Sequence, residues 1–359
     1  MDLNYNLRDI FKAPRIAFSF KKIWLYLKAN LSGYFYYLLL NYFGLMIDDY
    51  SFWEIWRQFG FYPFINFYQT VWYIDIIFYI SIIQWIYKNF FAATAVAKLI
   101  AKQLSGDEFF SSSEAMNFSL SNYRTVIFPS ASILLIFLFF IMLGFFFGII
   151  GKIPFIGNIL FYLSYIFILF GVIFSIFTLL VLIINFVYNP SIIGTTEENT
   201  MGAVFLSYQM AWNNSLQILG YHIILIPISI ISVGIFRLIL FLGFKTMNLF
   251  FSSDFLLGQT YNNIVNYSAS LVWPLELFSS KFPILIELLI NDWYNFFIPL
   301  NSGLLSSIDF ISAIILSFFL IIITLTFISY FLSILTVGET IMFIQFNKNL
   351  KNDLPTDGQ

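Results

Sequence analysis

Two long apolar runs near the middle of the chain limit what it can fold into. The first covers residues 126–150 and the second residues 155–187, with Gly151, Lys152 and Pro154 between them. A helix that crosses the hydrocarbon core of a bilayer needs about 20 apolar residues, because it rises about 1.5 Å per residue. Both runs are longer than this and contain no charged residue. The sequence therefore predicts a transmembrane helical hairpin.

The composition extends this interpretation to the whole chain. Hydrophobic residues make up 60% of the 359 residues and charged residues only 10%, whereas soluble domains contain about 25% charged residues. The sequence cannot build the polar surface of a soluble protein, so it predicts an all-α polytopic membrane protein. The net charge of −2 is too small to indicate a nucleic-acid partner.

The chain contains no cysteine and one histidine, His222. Disulfides, cysteine-ligated iron–sulfur clusters and a bis-histidine haem within the chain are thereby excluded. We expect no cofactor and no metal site.

The apolar pattern predicts about six transmembrane helices. They cover residues 31–47, 71–91, 126–150, 155–187, 216–242 and 310–337, within a transmembrane domain of residues 31–337. Residues 243–307 form a region on the outer side, in which the apolar stretch 282–290 is too short to span and suggests an interfacial or re-entrant helix. Residues 338–359 are predicted to form a polar cytoplasmic tail.

The amino-terminal segment, residues 1–30, combines basic side chains with large apolar ones. Pro14 divides it, so the pattern predicts a helix from Pro14 to about Ala29 that lies in the membrane interface. The alternative is a juxtamembrane tail that only follows the positive-inside rule. Short cytoplasmic helices are also predicted over residues 92–104, over 113–122 with Ser113 as its cap, and over 201–216. Asn189 and Pro190 indicate a loop at residues 188–215.

The distribution of lysine and arginine predicts the orientation. The amino-terminal segment, the loop at residues 92–125 and the tail carry six, three and two basic residues, and the opposite side has only Arg57, Lys152, Lys245 and Lys281. Basic residues accumulate on the cytoplasmic side, so both termini are predicted to be cytoplasmic. We expect a bacterial inner membrane, with an organellar inner membrane as the alternative.

No ionisable residue is predicted at the middle of the membrane. Asp75 and Asp309 fall at outer helix ends, and His222 and Glu339 near inner ends, so we interpret them as interface groups rather than as a proton relay. Four further basic residues are predicted to anchor helices at the membrane interface: Lys21, Lys22, Lys28 and Arg237.

No catalytic triad, acid pair, zinc motif or phosphate loop is recognisable, so we expect a protein that is not an enzyme. Packing signals are more evident. Gly144 and Gly148 form a small-residue pair in the third span, and Gly171 and Ser175 form another in the fourth. Such pairs let helices approach closely in lipid, so they predict a tight contact within the hairpin or with a neighbouring subunit.

Two resemblances to known families follow from this pattern. A basic interfacial helix, six spans, a cytoplasmic helix between spans two and three and an irregular outer region resemble ABC-2-type transport permeases. Separately, Glu114, Ala115 and Ser119 before span three, repeated as Ala203 and Ser207 before span five, are similar in style to uncharacterised bacterial multi-pass membrane proteins, which include the membrane domains attached to glycerophosphodiester phosphodiesterases. The first resemblance implies a separate ATPase partner; the second implies no activity.

The sequence thus supports two hypotheses of function. The first is a non-enzymatic multi-pass subunit that packs within a larger membrane protein complex, either as a scaffold or accessory component or as a component that binds lipid. The second is a permease subunit of an ATP-driven transporter for a lipid or another hydrophobic substrate. The expected partners are membrane lipids and other membrane protein subunits.

Overall fold

A computed structural model describes residues 7–63, 71–107, 109–274, 298, 303 and 305–353, with side chains described up to residue 348. Within these residues the fold is all-α, and no β-strand is present. A 3₁₀ turn at Leu7–Lys12 leads into ten helices, which are, in chain order, α1 Ala13–Ala17, α2 Phe20–Ile47, α3 Phe52–Phe59, α4 Trp72–Leu104, α5 Ser112–Ser121, α6 Tyr123–Gly151, α7 Ile156–Thr196, α8 Thr200–Phe251, α9 Gly258–Val272 and α10 Ser307–Asp353.

Five of these helices are long and apolar enough to cross a membrane, namely α4, α6, α7, α8 and α10. They contain five of the six predicted spans and confirm the predicted class of an all-α polytopic membrane protein. The first predicted span, residues 31–47, lies in α2, whose 28 residues are sufficient in length. Lysine, asparagine and tyrosine side chains make α2 less apolar than the other five.

Several helices extend beyond the predicted boundaries. The stretches predicted as short helices at residues 92–104 and 201–216 are parts of α4 and α8. The loop predicted around Asn189 and Pro190 is wrong, because both residues lie inside α7. Transmembrane helices tolerate proline where neighbouring helices satisfy the freed backbone groups. The predicted polar tail is also helical as far as Asp353.

The boundaries near the amino terminus differ in the same way. The helix break lies at Phe18 and Ser19, and the basic stretch that follows is continuous with the first span in α2. The short helix predicted to begin at Ser113 begins instead after Ser111, which caps α5 in a reciprocal pair with Glu114. The predicted re-entrant stretch at residues 282–290 lies outside the described residues.

The chain divides into two compact units. Unit 1 comprises Met1–Tyr26, Tyr87–Ser229 and Leu332–Gln359, and unit 2 comprises Leu27–Ile86 and Ile230–Phe331. Within unit 1, Asn185 of α7 accepts a hydrogen bond from Ser130 of α6 at 2.7 Å and donates one to Ser207 of α8 at 2.8 Å. Three helices are therefore joined through one buried amide, which is how polar side chains link helices in lipid.

The core of unit 2 is rich in aromatic residues. It contains Tyr34 and Tyr37 of α2, Phe59 of α3, Phe78 of α4 and Leu325 of α10. Helix α3 begins at a capping box in which Ser51 and Glu54 each bind the backbone N–H of the other. This local signal orders the segment that covers the aromatic core.

Candidate functional site

The candidate site is a cavity of about 330 Å³ inside unit 2, which we call the aromatic cavity. This volume falls within the range of about 300–1,000 Å³ that is typical of small-molecule sites. Side chains from α2, α4 and α10 line it, together with Tyr62 after α3. The lining residues are Tyr34, Tyr37, Tyr62, Phe78, Ile82, Trp85, Ile321, Thr324, Leu325 and Ile328.

A glycine in α2 makes room for the indole ring of Trp85 at the wall of the aromatic cavity. A Cβ atom at Gly33 would overlap the ring of Trp85, so only glycine lets this indole lie against α2 at that point. The indole N–H donates to Asn30 Oδ1 at 3.0 Å, and Asn30 donates to Ser329 Oγ at 3.2 Å. Both hydrogen bonds hold Trp85 in place and use the polar edge of its ring.

The tyrosine hydroxyl groups that line the aromatic cavity are bound to backbone carbonyl groups. Tyr34 donates to Phe61 O at 2.9 Å and Tyr37 donates to Pro63 O at 3.0 Å. Tyr62 donates to Val272 O at 2.6 Å. Because these donors are already used, the three residues present the apolar faces of their rings to the cavity.

The electrostatics of the site are those of a neutral apolar pocket. Burial raises the pKa of the Tyr62 phenol to about 12, so it stays protonated at neutral pH. Thr324 Oγ1 donates to Leu320 O at 2.8 Å and accepts from the indole of Trp273 at 3.0 Å. The hydroxyl groups of the lining tyrosines and of Thr324 all take part in hydrogen bonds, so the arrangement suits binding of an apolar group.

The small-residue pairs predicted from the sequence lie in the α6–α7 hairpin of unit 1. A Cβ atom at Gly144 or Gly148 would meet nothing within 4 Å, whereas one at Gly171 would lie 3.7 Å from the ring of Phe140. Ser175 is buried, and its hydroxyl donates to Gly171 O at 2.9 Å. Gly171 of the α7 pair thus faces α6, whereas the pair in α6 has open space beside it.

The four predicted interface anchors have different surroundings. Lys28 is exposed, and the guanidinium group of Arg237 lies 5.6 Å from the centre of the Phe241 ring. Lys21 donates to Phe110 O at 3.2 Å. The side chain of Lys22 is 2% exposed and donates to Ile16 O and Gln103 Oε1, both at 2.9 Å. After the helix break that precedes α2, the Lys22 side chain points toward other residues of unit 1.

Sequence reasoning did not identify the aromatic cavity. Its residues come from distant parts of the chain, and helical periodicity does not indicate which helices are neighbours. The described residues contain no group of three or more histidine, aspartate or glutamate side chains that could hold a metal ion. No protein-family model, curated protein or solved structure matches the chain, so the likeness to ABC-2-type permeases remains one of predicted topology.

Proposed function

We propose that the protein is a non-enzymatic multi-pass membrane subunit that holds a lipid acyl chain in the aromatic cavity and packs within a larger membrane assembly. The observation that carries this proposal is the lining of the cavity, where ring faces are presented and hydroxyl groups are bound elsewhere. Lipid tails are the apolar groups that surround a membrane protein, and an acyl chain needs no polar partner. The membrane we propose is a bacterial inner membrane, with both termini on the cytoplasmic side.

A second feature supports assembly with other subunits. Gly144 and Gly148 lie one helical turn apart on α6 with open space beside them. Helices associate in lipid mainly by close packing, and small residues provide the surface for it. The proposal assigns this surface of α6 to a helix of another subunit.

The lipid proposal is tested by filling the cavity. Ile82→Trp places a large ring in the aromatic cavity, and Ile83→Trp places the same ring on the next residue of α4, which is 51% exposed. We expect native mass spectrometry of the detergent-purified protein to show bound lipid for the wild type and for Ile83→Trp. Ile82→Trp should lose most of that lipid. Equal lipid retention by both variants would contradict binding in the cavity.

The second candidate function, an ATP-driven permease for a hydrophobic substrate, is favoured by one feature of unit 1. Helix α5 is short and capped, lies between two long membrane helices, and is held by Ser119, whose hydroxyl donates to Phe91 O at 2.8 Å. The adjacent Phe109 is 95% exposed and would suit an ATPase docking there. Mass spectrometry of the proteins that co-purify in mild detergent distinguishes the permease from the first proposal. An ATPase in equal amount would support the permease, other membrane subunits would support the first proposal, and a stable lone monomer would contradict both.

A further inference from the structure

Two ionisable side chains meet inside unit 1, at a place where the sequence predicted separate interface groups. His222 of α8 and Glu339 of α10 approach with Nε2 and Oε1 4.0 Å apart, and their side chains are only 20% and 14% exposed. Among the described residues, Glu339 has no hydrogen-bond or ion-pair partner apart from this contact with the imidazole ring. The imidazole ring of His222 is therefore the group that can satisfy the Glu339 carboxyl group.

The hydrogen bond on the other side of the ring determines the state of the imidazole. Nδ1 of His222 lies 2.9 Å from the carbonyl oxygen of Ile218. A carbonyl oxygen only accepts, so Nδ1 carries a proton and donates it. In the neutral ring Nε2 then bears a lone pair, and this buried atom has no hydrogen-bond partner. A bare Nε2 and a carboxylate would face each other as two acceptors.

The helices pack tightly around this pair. A Cβ atom at Gly338 would lie 2.5 Å from Leu225 Cδ1, so the parts of α8 and α10 in unit 1 are in direct contact next to Glu339. Ser191 of α7 and Thr340 of α10 share a hydrogen bond of 3.1 Å. A lone negative charge is costly in such a place, whereas a pair that holds one proton carries no net charge.

The other titratable groups around the pair are tyrosines with partners of their own. Tyr188 of α7 lies edge-on to His222, with ring centres 5.7 Å apart, and donates to Met342 Sδ at 3.2 Å. Tyr221 of α8 accepts from Gln345 at 2.7 Å. Tyr26 of α2 shares a hydrogen bond with Thr336. No lysine or arginine within the described ranges forms an ion pair with Glu339, so the imidazole is its only nearby source of positive charge.

We propose that His222 and Glu339 form a proton-binding site that takes up one proton from the aqueous phase. The proton lies between Nε2 and Oε1, either directly or through one water molecule, and converts an imidazole and a carboxylate into a pair with no net charge. Its release leaves one negative charge between α8 and α10. The side chain of Glu339 is 14% exposed, so the protein does not fully enclose the pair.

Because His222 is the only histidine in the chain, nitrogen NMR of histidine-labelled protein reports on this site alone. For the wild type at neutral pH, we expect Nδ1 to be protonated and Nε2 to be protonated or hydrogen-bonded. In Glu339→Gln, which keeps the size of the side chain but has no carboxylate to share a proton with the ring, the share of protein with a protonated Nε2 at neutral pH should fall at least tenfold. Glu198→Gln, in the loop between α7 and α8, is the matched control and should leave the Nε2 signal unchanged.

Two results would overturn the proposal. One is an Nε2 signal in Glu339→Gln that is equal to that of the control variant. The other needs no variant: a wild-type Nε2 signal at neutral pH that is typical of a bare nitrogen without a hydrogen bond would show that no proton is held there. This second measurement keeps the proposal testable if Glu339→Gln does not fold.

Discussion

Glu197 and Lys98 form an ion pair in unit 1 that connects the end of α7 to α4. Glu197 is the residue that ends α7, in a left-handed conformation with φ of 57°. Lys98 is buried, and its ammonium group also lies 4.4 Å from the centre of the Phe118 ring of α5. The hydrogen bond from Lys98 lowers the pKa of the Glu197 carboxyl group below its ordinary value of 4.5. The charged form of Glu197 therefore stabilises the fold.

We predict that Glu197→Gln lowers the free energy of unfolding by about 1 kcal/mol at neutral pH, because the carboxylate is exposed while the ammonium group it pairs with is buried. A carboxyl group with a lowered pKa stabilises the fold at pH values above its ordinary pKa. The difference in stability between the wild type and Glu197→Gln should therefore disappear as the pH falls below 4.5. Thermal unfolding in detergent at neutral and acidic pH measures it. Glu198→Gln is the control, and an equal loss in both variants would contradict a specific pair.

At the scale of the helices, α4 and α7 are in close contact at Gly194. A Cβ atom there would lie 2.6 Å from Ala97 Cβ and 2.8 Å from the backbone nitrogen of Lys98. Backbone atoms cannot move aside as a flexible side chain can. The absence of a side chain at Gly194 thus sets the distance between the two helices.

We predict that Gly194→Ala destabilises the protein by about 1–3 kcal/mol, the usual cost of overpacking. Gly220→Ala in α8 is the matched control, because a Cβ atom there meets nothing within 4 Å. Alanine forms helix better than glycine by about 1 kcal/mol, so the control should be neutral or stabilising. The measurement is the unfolding temperature of both variants in the same detergent. A lower temperature for both, or for neither, would contradict the close approach.

The apolar pattern predicted the long helices but not where they end. The length of an apolar run reflects the thickness of the membrane, so it does not show where a helix ends beyond that run. Helix α7 continues through Pro190 because a neighbouring helix forms a hydrogen bond with a polar side chain there. The side chain of Asn189, for example, donates to Val126 O of α6 at 2.8 Å. The end of α10 was predicted as tail from its polar residues, yet Ile341 and Phe346 in it are fully or almost fully buried. The start of α3 was readable, because Ser51 and Glu54 have the spacing of a capping box.

At the scale of the whole molecule, the two sites show what a single sequence cannot provide. The aromatic cavity and the His222–Glu339 pair each combine residues from helices far apart in the chain, and their types are unremarkable when read separately. A lone histidine near a helix end resembles an interface group until the fold places a carboxyl group beside it. The class could therefore be predicted from the apolar runs and the composition, whereas the sites depend on which helices pack against each other.

The direction in which the chain crosses the membrane can be tested directly, because the chain contains no cysteine. Helix α6 has 29 residues, enough at about 1.5 Å each to cross a core of about 30 Å. Ser113 in α5 precedes α6, and Lys152 follows it; both are exposed, as is Phe11. From the excess of basic residues we predict that Phe11 and Ser113 lie on the cytoplasmic side and Lys152 outside.

Each of these positions is changed to cysteine singly, and right-side-out vesicles are treated with a membrane-impermeant maleimide. Lys152→Cys should react in intact vesicles, whereas Phe11→Cys and Ser113→Cys should react only after the membrane is permeabilised. The cysteine-free wild type provides the unlabelled control. Reaction of Ser113→Cys and Lys152→Cys from the same side would show that α6 does not cross, and a complete reversal of the pattern would show that the basic residues lie outside.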